Sequence, residues 1–391
     1  MWFFWLMLLM VLFTVGGLAW WGLDIVTSER ERGTARKLLV IFDVVSVVLL
    51  FVGRHIPWAS DTFFKYGLMF MTAVWMAELF FGAAALFVRL HRKIVHTYNR
   101  KENDKATPQD MSRRRFIKGS LALPAAAAIG AAYGTAVERT ETVVRSFDVP
   151  VEGLGAKAEG FKIAQLSDVH LGLFYSLKDL RRLMEQAAAT KADALVITGD
   201  LFDDDDINEE AAEIINGFCG AFPQGIWFCY GNHEYFRNIG RTKKALAKTQ
   251  IRVLANDNAC VVKDTRPIYF CGVDYPRIRP RFEELGKSFM KETMDNVPKD
   301  AVSILLAHHP DFIDDAAEYG VTLALTGHTH GGQLGAFGVP LVPPVFKYLR
   351  GKYIVGITFG YVHCGNGSWF PFRFGCPPEI PVFRLTSAKL G

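Results

Sequence analysis

Five short stretches of the chain carry side chains that can hold divalent cations. They are Asp168-Val169-His170, Gly199-Asp200, Gly231-Asn232-His233-Glu234, His308-His309 and Gly327-His328-Thr329-His330. Carboxylate and imidazole ligands suit Mn, Fe or Zn, and no thiolate stands among them. A two-metal site also needs one group that bridges ions spaced about 3.5–4 Å apart. Asp200, on a tight Gly-Asp turn, is a residue of that type. Taken singly, each stretch is weak. A lone Asp-Val-His or Gly-Asp is usually a capped turn, and a lone His-Thr-His is a core or surface pair. What sets this chain apart is that all five occur in order, each in the same setting.

That setting is the end of an apolar run. Runs at 161–166, 194–198, 226–230, 302–307 and 321–326 each lead directly into one of the five stretches. Near-continuous apolar runs of this length predict strands covered on both faces. Helix-like segments at 178–189 and 209–218 lie between some of them. The pattern predicts an α/β domain over 145–391, whose site forms where the strand carboxyl ends meet.

These residues resemble the calcineurin-like metallophosphoesterase family. The matching motifs are Asp168-Val169-His170, Gly199-Asp200-Leu201-Phe202-Asp203, Gly231-Asn232-His233-Glu234, His308 and Gly327-His328-Thr329-His330, so the resemblance spans about 160–385. The strings Leu166 to Gly172, Gly327 to Gln333 and Arg373 to Ile380 are similar to the bacterial YkuE-type branch. The resemblance implies a four-layer α/β/β/α sandwich and two divalent metal ions, Mn, Fe or Zn. It implies that Asp168, His170 and His330 hold one metal, that Asn232, His308 and His328 hold the other, and that Asp200 bridges. His308 is preferred over His309 because it is the first polar residue after its strand and fits a His-x-Pro-Asp pattern. A hydroxide held between the metals would attack phosphorus in line. His233 would protonate the leaving oxygen, oriented by Asp203. The remaining acids, Asp204 to Asp206, precede a helix-like segment, where acids favour the N-terminal dipole. One departure stands out: His363 and Cys364 replace residues that the branch places near the site mouth. The aromatic stretch Trp369 to Phe374 is expected to close the core or to contact lipid or substrate.

The first 140 residues read differently. Mean hydropathy for the whole chain is +0.15, and the apolar excess is concentrated here. Apolar stretches at 1–22, 38–53, 66–88 and 119–136 predict membrane helices, with Asp43 and Glu78 inside two of them. A loop at 89–118 carries ten Lys+Arg against three Asp+Glu, which predicts a cytoplasmic location. It ends in Ser112-Arg113-Arg114-Arg115-Phe116-Ile117-Lys118 before an Ala/Gly-rich segment, which resembles a twin-arginine export signal at an unusual internal position. The twin-arginine export machinery is therefore an expected partner. The catalytic domain is expected outside the cytoplasm on a multi-pass inner-membrane region (1–140), with cleavage near 134–136 left open. Such export would carry an already folded domain, loaded with metal in the cytoplasm.

Charge narrows the partners. Residues 1–144 hold 17 Lys+Arg against 11 Asp+Glu, and the rest holds 27 against 29. The globular part has no basic excess, so nucleic acid is not expected. A phosphoester substrate, monoester or diester, is expected, with lipid-linked and envelope phosphoesters favoured by the membrane region. A UDP-2,3-diacylglucosamine pyrophosphohydrolase-like activity and a non-catalytic metal-binding membrane protein are the alternatives. The six cysteines form no CxxC pair, so a zinc ribbon or thioredoxin motif is not indicated. Cys229 and Cys271 read as core residues. A disulfide Cys260–Cys271 or Cys364–Cys376 stays open.

Overall fold

The computed structural model describes residues 2–55, 61–102, 113–336, 338–343, 345–368 and 370–387. Met1, Ser112 and Trp369, named above, lie outside the described residues. The chain divides into two compact units, Met1–Val137 and Glu138–Gly391.

The first unit is helical: α1 (Trp2–Val26), α2 (Glu29–His55), α3 (Asp61–Glu102) and α4 (Arg113–Ala136). Small residues let the helices approach, as they do where packing between apolar helices has little hydrophobic drive. A Cβ built on Gly82 of α3 would lie 2.5 Å from Leu18 Cγ on α1. Ala19, Leu23, Phe81, Ala85 and Ala127 form the core of this contact. Asp43 and Glu78 lie against each other beside Gly16, whose Cβ would come within 3.2 Å of Asp43 Oδ2.

The helices differ from the expected apolar stretches in a physically simple way. Among the described residues one helix, Asp61–Ile94, is long and apolar enough to cross a membrane, and Met10–Val26 is a shorter apolar helix. The helix α2 starts at Glu29, so Arg30, Glu31, Arg32, Arg36 and Lys37 occupy its first turns. The helix α4 starts on Arg113 and contains Pro124. The expected loop at 89–118 is helical as far as Glu102, because 89–102 holds no Gly or Pro to stop α3.

The second unit holds fourteen strands among the described residues. They are β1 (Val143–Pro150), β2 (Lys162–Leu166), β3 (Ala194–Thr198), β4 (Ile226–Cys229), β5 (Arg252–Val253), β6 (Asp257–Val262), β7 (Ile268–Gly272), β8 (Val302–Leu306), β9 (Leu323–Thr326), β10 (Gly335–Ala336), β11 (Val339–Pro340), β12 (Gly351–Val355), β13 (Thr358–Val362) and β14 (Glu379–Thr386). Its helices are α5 (Leu177–Ala189), α6 (Asn208–Asn216), α7 (Asn232–Phe236), α8 (Ile239–Leu246), α9 (Phe282–Met294) and α10 (Phe312–Glu318). Two six-stranded sheets run β1-β14-β2-β3-β4-β5 and β12-β13-β9-β8-β7-β6, with a small β10-β11 hairpin beside them.

Side-chain alternation builds the layers. Along β3, Ala194 and Val196 enter a core shared with Ile304 and Leu306 of β8 and Leu325 of β9. The intervening Leu195 and Ile197 pack against Leu180, Leu183 and Met184 of α5. On the other sheet, Leu305 and Ala324 face Phe312, Ile313 and Met290 of α10 and α9. The domain is therefore helix, sheet, sheet, helix, with three apolar cores between four layers. Strands buried on both faces explain why their sequences are apolar runs rather than alternating ones. Strands β2, β3 and β4 pair in parallel, as do β8 and β9, so the chain leaves each group at a common edge.

Candidate two-metal site

All five stretches follow directly on those strands. Asp168 and His170 follow β2, Asp200 follows β3, Asn232 opens α7 after β4, His308 follows β8, and His328 and His330 follow β9. The structure brings these seven side chains to one place. Asp168, His170 and His330 form one cluster of closely spaced ligand atoms, and Asp200, His308 and His328 form another. Asn232 joins the second, with Oδ1 3.1 Å from His308 Nε2 and 2.9 Å from His328 Nδ1.

Asp200 stands between the clusters. Its Oδ1 accepts a 2.8 Å hydrogen bond from the His233 backbone N–H. That leaves Oδ2 facing both sides, 3.1 Å from His308 Nε2 and 3.8 Å from His170 Nε2. His233 Nε2 is 4.0 Å from the same oxygen.

Hydrogen bonds to the backs of the rings set the tautomers. His308 Nδ1–H donates to the Thr198 carbonyl at 2.8 Å, which turns the Nε2 lone pair inward. His170 Nδ1 lies 3.0 Å from Asp203 Oδ2, which again leaves Nε2 free, 3.0 Å from His330 Nε2. The buried Nδ1 of His330 has no hydrogen-bond partner. The His170 and His330 nitrogens thus face each other as acceptors, an arrangement that a bound cation would relieve. The donor set of imidazole, carboxylate and amide oxygen fits two divalent transition ions.

Charge is strongly perturbed here. Burial disfavours charge on His308 and Asp200 alike, but their mutual attraction prevails. His308 is pushed up to about 10, and Asp200 is held well below the usual carboxylate range by His308, His170 and His233. Burial, reinforced by neighbouring histidine charge, pushes His328 and His330 far below the ordinary imidazole value. His233 rises despite its burial, because its Nδ1 sits 2.5 Å from Asp203 Oδ1.

The run Asp203 to Asp206 divides as its neighbours dictate. Asp203 faces both His233 and His170. Asp204 caps the Asp206 N–H, Asp205 accepts from the Asn238 N–H and Asp206 pairs with Arg241. His309 joins neither metal cluster. Its ring packs on Phe282 and Phe346, with ring centroids at 4.7 and 5.8 Å, and burial together with the His308 charge pushes it down to about 3. With Tyr275, these rings form an aromatic wall around His328.

Two features were missed from sequence. Glu234 is fully buried and accepts from four backbone N–H groups: Leu201 at 2.7 Å, Phe202 at 3.2 Å, Asp200 at 3.0 Å and Gly231 at 2.8 Å. One carboxylate thereby fixes both the Asp200 and Asn232 turns. Its position three residues after Gly231 is the spacing of a helix-capping Glu, which was the available signal. The second is Ser167 and Asn366. Ser167 Oγ donates to Asp168 Oδ2 at 2.6 Å, and Asn366 Oδ1 accepts from the Ser167 N–H at 3.0 Å. His363 and Cys364 are not at a mouth but buried behind the His330 turn, since the His363 N–H bonds to Thr326 O and extends the β13–β9 pairing inward. Phe372 is fully buried, so that part of the aromatic stretch closes the core.

The calcineurin-like phosphoesterase family model matches residues 161–332, and the twin-arginine translocation signal model matches residues 110–130. The chain is 34% identical over 295 residues to the uncharacterized metallophosphoesterase YkuE of Bacillus subtilis, covering 71% of this chain and 99% of that protein. It is 28% identical to an uncharacterized metallophosphoesterase of Campylobacter jejuni, covering 90% of this chain and 88% of the relative. It is also 28% identical to the phosphodiesterase YaeI of Escherichia coli, covering 58% and 83%.

Proposed function

The chain belongs to the calcineurin-like metallophosphoesterase family, and on that premise we propose that it is a two-metal phosphodiesterase acting on lipid-linked phosphoesters at the outer face of the cytoplasmic membrane. The observation that carries the two-metal reading is the single Asp200 oxygen facing His308 on one side and His170 on the other. In this reading Asp168, His170 and His330 hold one ion, Asn232, His308 and His328 hold the second, and Asp200 bridges. The ions supply a low-pKa water and neutralise the phosphate oxygens when bound.

The protein's own part is positioning and proton transfer. His233 stands beside Asp200 with its charged form favoured, so it carries a proton to the leaving oxygen as a general acid. Asp203 keeps that ring in place. The aromatic wall of Tyr275, Phe282, His309 and Phe346 offers apolar surface to the part of the substrate beyond the phosphate. That wall, with the Asp61–Ile94 helix and the twin-arginine match, supports a lipid-linked substrate outside the cytoplasm.

The test is hydrolysis of a chromogenic phosphodiester by the full chain in detergent, with Mn, Fe or Zn added. No turnover with any of the three ions defeats the assignment. A reporter fused at the C-terminus tests the membrane face: a cytoplasmic signal rejects the outer location and favours the cytoplasmic UDP-2,3-diacylglucosamine alternative.

A further inference from the structure

We propose that Cys364 and Cys376 are a redox pair that closes into a disulfide after the chain has folded, locking the backbone behind the His330 turn. Cys364 lies just after β13 and Cys376 just before β14, and both are buried. Geometry brings both sulfurs to one point: a Cβ built on Gly331 would lie 2.7 Å from Cys376 Sγ and 2.9 Å from Cys364 Sγ, so the two sulfurs are near each other.

The two backbones are held for this pairing by a third residue. Arg373, fully buried, donates from the same Nη1 to the Cys364 carbonyl at 2.7 Å and to the Cys376 carbonyl at 3.0 Å. Its Nη2 donates to the Gly367 carbonyl at 2.7 Å. The Cys376 N–H is tied to Glu138 Oε1 at 2.8 Å. A disulfide tolerates little drift between the residues it joins, and one shared guanidinium fixes the two carbonyls relative to each other. Cys260 and Cys271 lack this arrangement, because on β6 and β7 Cys271 stands opposite Asn258 while Cys260 stands opposite Tyr269.

The pair is also reachable. A cavity of about 270 Å³ has both cysteines in its lining, with Arg145, Arg350 and Lys352 among its other walls. Arg145 is paired with Glu379, which also lines the cavity, and Arg350 and Lys352 favour the approach of an anionic disulfide such as glutathione disulfide. One cysteine attacks it as the thiolate, forming a mixed disulfide and releasing one glutathione. The second cysteine then attacks the protein sulfur of that mixed disulfide, forming the Cys364–Cys376 bond and releasing the second glutathione. The pair loses two electrons and two protons, and the glutathione disulfide is reduced to two thiols. Because the fold already aligns the sulfurs, oxidation can follow folding in a reducing compartment.

The Cys376 thiol reaches the His330 carbonyl at 3.5 Å and that of Gly331 at 3.7 Å, so closure removes this donor and fixes instead the segment that packs against the backbone on which a metal-cluster histidine is mounted. The experiment uses the full chain, purified reduced in detergent and then incubated with glutathione disulfide. Free thiols are alkylated in denaturant, and the digest is read by mass spectrometry. The expected result is one crosslinked peptide joining Cys364 to Cys376, with the other four cysteines alkylated. Dithiothreitol should restore six alkylated sites and lower the melting temperature by about 5–10 °C, the scale for releasing a loop of this length. A Cys364→Ala chain should show no such shift with dithiothreitol. Six alkylated cysteines after oxidation, or a crosslink between other positions, overturns the proposal.

Discussion

Replacing Asp203 by Asn isolates what one carboxylate does for two histidines. Its Oδ1 lies 2.5 Å from His233 Nδ1 and its Oδ2 lies 3.0 Å from His170 Nδ1. The substitution keeps the shape and removes the charge. A hydrogen bond to a charged group contributes about 1.5–3 kcal/mol, so losing the His233 contact should lower kcat about 10- to 150-fold. The His170 contact acts through metal affinity, where an outer partner is worth roughly 10- to 100-fold. The two effects separate in a metal titration, because saturating Mn removes the second and leaves the first. The pH profile has a definite sign. His233 acts in its protonated form, so activity falls as pH rises through its pKa. Asp203 raises that pKa, so the Asn variant should lose activity at lower pH than the native chain. Leaving groups give an independent reading: alkyl phosphodiesters, which need protonation on departure, should suffer more than 4-nitrophenyl esters. A variant within twofold of native kcat at saturating Mn, with the same alkaline limb, would refute this account of Asp203.

Other perturbations test the supports of the site. Glu234→Gln places an amide N–H₂ against backbone donors that now meet a carboxylate, and should cost about 2–4 kcal/mol in urea unfolding; an unchanged midpoint would show that these bonds carry little. Gly327→Ala puts a methyl 2.0 Å from Ser167 Oγ and 2.3 Å from Asp168 Oδ2, so bound metal, counted by elemental analysis, should fall below two per chain with a stability loss of about 1–3 kcal/mol. Chelation should abolish turnover and lower the melting temperature, with both restored by Mn; at 100 times Kd one ion contributes about 2.7 kcal/mol. An unshifted melting temperature after full metal removal would contradict binding within the buried clusters.

Much of this protein can be read in its order of residues. The β3 strand at Ala194–Thr198 matches the expected run at both ends, because a strand buried on both faces is apolar along its whole length and ends where polarity returns. The same reasoning sites every metal-ligand type just past a strand. His308, preferred in the sequence as the first polar residue after its strand and the start of a His-x-Pro-Asp pattern, faces Asp200, while His309 packs on Phe282. The helical unit was harder to read. Hydropathy marks apolar stretches but not helix ends, so α2 and α3 run well into charged sequence.

Sequence determined which groups are available to bind metal and in what order they come, since strand burial and ligand chemistry are both written in residue type. Tertiary structure alone decided how they meet. Asp168, His170, Asp200, His328 and His330 all sit at φ between 51° and 74°, a left-handed conformation that costs roughly 1–3 kcal/mol for each non-glycine residue. No local preference would select it five times. It is held by contacts distant in sequence: Glu234 gripping the Asp200 turn and the His328 N–H donating to Asp168. The His328 contact, like the His308 ring bond to the Thr198 carbonyl, crosses from one sheet to the other, which is why strand ends far apart in the chain can converge on one pair of clusters.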